Sequence, residues 1–251
     1  MAELVEGPLP ATVEHTTITG IDGATVDAIH AVPGAEHVAG IVVHPDIMGI
    51  RPLFDDLCRR LATHGFSVCA PEPFARASLE VREAPDPTAR IQAMPALDDD
   101  LQLGDLARAA DLLADADGAG DVFVIGFCMG GMQTLKAAAT GRFRRAVPFY
   151  GMIRVPEQWR GPKLREPLDT ARDVCPTLAI FGSADPWTPP EDIDALRAAW
   201  KDRDDCEIVV YEGADHGFVH DPDRPAHRPA DAADAWQRAL RFLRTSHTPS
   251  M

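Results

Sequence analysis

Residues 13–19 (VEHTTIT) and 25–32 (TVDAIHAV) alternate in polarity or are β-branched, and Gly20 with Asp22 and Gly23 separates them. The pattern predicts a hairpin near one edge of a sheet. GIVVH, residues 40–44, is a short β-branched run and predicts a buried strand. In LFDDLCRRLATHG, Leu53, Phe54, Leu57, Cys58 and Leu61 share one helical face; Gly65 stops that helix, and FSVCA, 66–70, is the next strand. Prolines, charges and arginines break the pattern over 71–95, which reads as a surface excursion. A helix over 97–116 turns Leu103, Leu106, Ala110 and Leu113 inward. Then follow a strand at 121–127, a helix at 129–139 and a strand at 144–151. An irregular stretch at 152–173 is placed to cover a site. The chain ends with strand 175–182, helix 190–202, strand 206–213 and helix 230–246.

Strands alternating with helices call for an α/β fold: one mostly parallel central sheet flanked by helices on both faces, with right-handed crossovers. At 251 residues, with no internal repeat and no long linker, the chain reads as a single domain over 1–251. Ligands of such sheets sit beyond the carboxyl ends of the strands. Residues 45–48, 127–129, 183–186 and 215–218 occupy those positions.

Composition narrows the partners. The formal net charge of −15 repels phosphate backbones, so nucleic acid is excluded, and anionic membrane surfaces are disfavoured. No apolar run approaches the roughly 20 residues that span a bilayer. The first ten residues show no basic or apolar leader pattern. Five cysteines, an odd number at wide spacings without C-x-x-C, argue against disulfides and structural zinc and for a reducing, cytoplasmic setting. Cys58, Cys69, Cys175 and Cys206 sit in apolar patterns and read as core. His44 and Asp46 form a loose H-x-D, but no ligand set of metal-binding spacing accompanies them, so no metal is expected.

Cys128 is different. Gly126-Phe127-Cys128-Met129-Gly130 follows an apolar strand and opens a helix, the context of a G-x-nucleophile-x-G elbow with cysteine in the serine place. The helix start favours thiolate, and the backbone N–H of Met129 points into the same space as an oxyanion donor. Asp185 and His216 each lie just after a later strand. Nucleophile, acid, histidine is the chain order of α/β-hydrolases. His216 is the candidate base and acid, and Asp185 the group that orients it. Asp215 adjoins His216 and is a poor partner for its ring; Asp194 sits within a helix, exposed. A tight turn with a core thiol, a small-molecule binding module without catalysis and a redox-sensing thiol remain as alternatives.

The segments GIVVHPDIMG, LATHGFSVCAPEPF, GFCMGG, YGM, CPTLAIFGSAD and YEGADHGF resemble the dienelactone hydrolase family over about 40–242, with 1–39 a hairpin and tail. The resemblance implies an α/β-hydrolase fold without a cofactor, as a monomer or small homo-oligomer. It implies a small-molecule ester or lactone substrate hydrolysed through a thiol acyl-enzyme by Cys128, His216 and Asp185. It implies that the Ile47 N–H is the second oxyanion donor and that Asp46, where the family has Glu, contacts the resting thiol; the shorter Asp46 either does that work or merely caps a turn. Family arginines bind a substrate carboxylate. One falls here at His220, and the other lies among Arg76, Arg82 and Arg90, of which Arg90 is retained as the candidate. Phe74, Tyr150, Trp159, Trp187 and Phe218 are candidates for an apolar acyl pocket, with Tyr150, Phe218 and His220 expected at the substrate.

Overall fold

The computed structural model describes residues 4–35 and 37–244. Strands β1 (Ala11–Thr19) and β2 (Thr25–Pro33) form the antiparallel hairpin, Thr19 opposite Thr25. There follow β3 (Ala39–His44), α1 (Pro52–Thr63), β4 (Phe66–Pro71), the short helices α2 (Leu79–Arg82) and α3 (Thr88–Ala93), and α4 (Asp99–Ala116). The second half holds β5 (Val122–Phe127), α5 (Met129–Ala137), β6 (Ala146–Phe149), β7 (Thr177–Gly182), α6 (Pro190–Ala199), β8 (Cys206–Tyr211) and α7 (Pro229–Arg244). The eight strands lie in the order β1-β2-β4-β3-β5-β6-β7-β8, with β4 through β8 parallel. Residues 245 and 246 of the expected last helix lie outside the described residues.

Side chains alternate across the central strands, which sorts them into two apolar layers. Ile41, Val43, Ile125 and Phe127 point to one face, against Phe54, Leu57 and Leu61 of α1 and Trp236 and Ala239 of α7. Val42 and Val124 point to the other, against Leu106, Ala110 and Leu113 of α4, Leu135 of α5 and Ile193 of α6. Both faces of β3 through β7 are therefore dry, which is why those strands read as continuous apolar runs. The α5 helix is further pinned by a buried ion pair: Lys136 Nζ lies 2.9 and 3.0 Å from the Asp99 carboxylate oxygens, and Gln133 donates to the same group at 2.9 Å.

Three expectations change. The 71–95 stretch is not only a surface excursion: Phe74, Arg90 and Met94 are buried, and Pro87 and Ile91 reach a cavity at the end of β5. The expected strand at 144–151 pairs only over 146–149, because Tyr150 turns the chain at φ 38°. Cys58 and Cys69 are core, but Cys175, just before β7, and Cys206, which opens the edge strand β8, are only partly buried. All five thiols are free. Among the described residues no helix is long and apolar enough to cross a membrane.

Candidate active site

β5 ends at Phe127 and α5 starts at Met129, so Cys128 alone makes the turn. Its backbone sits at φ 57° and ψ −120°, a conformation that costs a side-chain-bearing residue roughly 1–3 kcal/mol. The turn is held by Cys128 N–H donating to the Phe149 carbonyl at 3.1 Å and by the Cys128 carbonyl accepting from Met132 at 3.0 Å. A Cβ on Gly126 would lie 2.2 Å from the Gly130 oxygen, and one on Gly130 would lie 2.2 Å from the His44 oxygen. The glycines of the motif are thus required by close backbone approach between β5, α5 and the end of β3.

Asp185 and His216 arrive from the ends of β7 and β8. Asp185 is nearly fully buried; one oxygen accepts from the Trp187 N–H at 2.8 Å, and the other lies 2.8 Å from His216 Nδ1. Asp215 does not compete: its carboxylate accepts from the His216 backbone N–H. The His216 imidazole and the Cys128 sulfur stand on the same cavity, close enough for the sulfur to act on the charge of the ring. Burial pulls this imidazole down, but the Cys128 sulfur and the Asp185 carboxylate outweigh burial, and the group is pushed up to about 10. Cys128 and His216 open onto a cavity of about 310 Å³ whose apolar wall includes Ile47, Met48, Ile91, Trp159 and Trp187. The two indoles are stacked, with ring centroids 5.3 Å apart. Ile47 lies on this wall, and Met129 opens α5, where the helix leaves N–H groups without intrahelical partners.

Asp46 is also at the cavity, but its carboxylate is fully engaged. Oδ1 accepts from Arg51 Nη1 at 2.7 Å and from the Met48 N–H at 2.9 Å; Oδ2 accepts from Arg51 Nη2 at 2.9 Å and from His220 Nε2 at 2.8 Å. Four donors fill the lone-pair positions of an ionised carboxylate, so none is left for the thiol. Burial works against the charge, but His220 and Arg51 hold Asp46 well below the usual carboxylate range. The expected contact between Asp46 and the resting thiol is therefore replaced by an anchor. The reason is side-chain length: one methylene shorter than Glu, the carboxylate stays with its own loop.

The expected substrate contacts of His220, Tyr150 and Phe218 are corrected too. All three are fully buried and belong to the core beneath the cavity. Tyr150 hydroxyl donates to His220 Nδ1, and His220 Nε2 donates to Asp46, which is the pattern of a neutral imidazole. Burial lowers the basicity of His220, so it stays uncharged. Phe218 packs on Tyr150 and Tyr211, and Phe74 is buried beneath the 71–95 segment. Trp159 and Trp187 alone of the five aromatic candidates stand on the cavity wall.

Comparison with known proteins resolves the ancestry of this site. The sequence profile described as "Dienelactone hydrolase family" matches residues 26–247. The chain belongs to the dienelactone hydrolase family. The match begins in β2, earlier than the 40–242 expected from motifs, since the second hairpin strand is part of the family sheet. A protein of Escherichia coli (strain K12) named "Putative carboxymethylenebutenolidase" is 32% identical over 96% of this chain and 90% of its own length. A Bradyrhizobium protein named "Probable 2-oxo-3-(5-oxofuran-2-ylidene)propanoate lactonase" is 31% identical over 81% of this chain and 82% of its own. The crystal structure of a "Putative Dienelactone Hydrolase" from Klebsiella pneumoniae superposes with a TM-score of 0.83 at 30% identity, covering 94% of this chain and 99% of that one.

Within this dienelactone hydrolase-like hydrolase the cations are arranged differently from expectation. Arg90 is buried and donates to the carbonyls of Ala84 and Arg82; Arg76 pairs with Asp22 and Asp105, and Arg82 with Asp27. None of the three lines the thiol cavity. Arg51 and Arg224 do. Arg51 is neutralised by Asp46. Arg224 packs against the backbone of Gly217, next to His216: a Cβ there would lie 2.7 Å from its guanidinium carbon. Among the described residues no carboxylate pairs with Arg224. Neither arginine was legible as a site residue. Arg51 precedes a helix like any solvated cation, and Arg224 sits in DPDRPAHR, which reads as a plain loop.

Proposed function

We propose that this chain hydrolyses small carboxylic esters or lactones through a thioester on Cys128. The single observation that carries the reading is the convergence of three strand ends: Asp185 hydrogen-bonds His216 at 2.8 Å, and His216 and Cys128 share one largely apolar cavity. The sulfur attacks the carbonyl, and the negative oxygen is received by the N–H groups of Ile47 and Met129. The His216 imidazolium gives its proton to the departing alkoxide. The neutral imidazole then takes a proton from water as that water attacks the thioester, releasing the acid and the thiolate. Asp185 holds the tautomer throughout, and Asp46 positions its loop. The names borne by the relatives, a carboxymethylenebutenolidase and a lactonase, support this substrate class.

Acid quenching during turnover of p-nitrophenyl acetate, followed by peptide mass mapping, tests it. One acetyl group is expected on the peptide containing Cys128. Turnover with the acyl group on another residue overturns the thiol mechanism, and absence of both turnover and adduct across a panel of esters and lactones returns the non-catalytic binding module.

Arg224, which no carboxylate pairs with among the described residues, supports a substrate that carries a carboxylate, since a planar fork binds that group bidentately. A lost charge-assisted hydrogen bond costs about 1.5–3 kcal/mol, so Arg224→Gln raises KM for a carboxylate-bearing lactone roughly 10–100-fold. For p-nitrophenyl acetate the change stays within about threefold. An equal loss on both substrates removes Arg224 from recognition.

A further inference from the structure

We propose that Glu72 is a positioning residue for catalysis: its carboxylate rivets the loop that carries the Ile47 oxyanion donor to the end of β4. The inference rests on the thiol-hydrolase reading above. Residues 46–51 connect β3 to α1 without strand pairing, yet they must hold one backbone N–H to a fraction of an ångström. Part of the fixation is internal: Gly49 N–H donates to the Asp46 carbonyl at 3.0 Å, and Arg51 donates to the Gly49 carbonyl at 3.2 Å. From outside, His220 holds the start of the loop through Asp46 at 2.8 Å, and Glu72 holds its far end. Its Oε2 accepts from the Ile50 N–H at 2.9 Å, and its Oε1 accepts from the Phe74 N–H at 3.0 Å. One carboxylate thereby joins the oxyanion loop to the segment leaving β4.

Two further observations point the same way. Gly49 sits at φ 70°, and a Cβ there would lie 2.5 and 2.7 Å from the two Glu72 oxygens, so the loop rests directly on the carboxylate. Glu72 is only 5% exposed, and among the described residues no cation pairs with it; Arg90 and Arg82 act on it from farther away. Burying an anion whose only close partners are two backbone N–H groups is expensive for stability alone. A carboxylate is suited to bridging two N–H groups because it offers an acceptor to each, whereas an amide offers one acceptor and turns a donor toward the other.

Glu72→Gln is the test, read with p-nitrophenyl acetate kinetics and iodoacetamide alkylation of Cys128. Misplacing one oxyanion donor lowers kcat roughly 10–100-fold. KM stays within about threefold, because ground-state binding does not use that donor. The alkylation rate stays within about twofold, because sulfur and imidazole are held by β5, β7 and β8 rather than by this loop. Gly49→Ala pushes the same contact from the other side and gives the same split. Unchanged kcat in both variants, or kcat and alkylation falling together, overturns the proposal. So does failure of both variants to fold by circular dichroism, which makes Glu72 a stability residue. If instead the alkylated parent still turns over ester, it is the thiol reading that fails.

Discussion

Cys128→Ala abolishes turnover of p-nitrophenyl acetate, lowering kcat by on the order of 10⁴-fold or more. The size follows from the arrangement of the site. His216 and the oxyanion donors are built around an attacking atom at the β5–α5 turn, and the methyl group that replaces it can neither attack nor share a proton. Cavity, walls and Arg224 remain, so the variant still binds the product acid, which calorimetric titration measures. The fold persists as well, since the strained φ of 57° is imposed by the surrounding backbone and alanine fits the space. Cys128→Ser is less complete: it folds and retains weak activity at most, because a hydroxyl needs a stronger base than a thiol does. Stopped-flow release of p-nitrophenol on alkylation-controlled enzyme measures both. A serine variant as fast as the parent contradicts a site tuned to sulfur, and undiminished turnover by the alanine variant removes Cys128 from the mechanism.

Asp185→Asn lowers kcat roughly 10³–10⁴-fold. The Trp187 N–H holds one oxygen of residue 185, a contact that survives in asparagine. The amide then turns its NH₂ toward His216 Nδ1, which must accept, and the ring proton moves to Nε2, the atom that has to face sulfur as a base. The pH profile carries the same signature. With His216 pushed up to about 10, the imidazolium that protonates the leaving group is retained through neutral pH and lost above about pH 10. The parent's alkaline limb of kcat/KM, which reports the free enzyme, therefore lies near pH 10. In the variant one of the groups opposing burial is gone, so the limb moves to lower pH. A limb that stays in place while kcat falls shows that Asp185 orients the ring without supporting its charge.

The sheet was legible because the central strands are apolar on both faces and the helices carry one apolar stripe each. GIVVH, VFVIGF and TLAIFG have no other way to bury both sides than between helix layers. The hairpin was legible for the complementary reason, an alternating pattern at an edge. The 71–95 segment was not, because Phe74, Arg90 and Met94 are spaced by prolines and share no period.

Local chemistry was similarly divided. The elbow could be read from the chain alone: Gly126, Gly130 and Gly131 around one thiol are a backbone requirement, and such requirements are written in adjacent residues. So could the order in which an acid and a histidine follow. Where charge and surface lie was settled by the packing of distant segments. His220 is a neutral link between Tyr150 and Asp46 rather than a substrate contact, Arg90 is buried among carbonyls, and Arg224, from an unremarkable loop, stands at the cavity with His216. A side chain's charge state and accessibility depend on what long-range folding packs against it, and neighbours in sequence do not encode that.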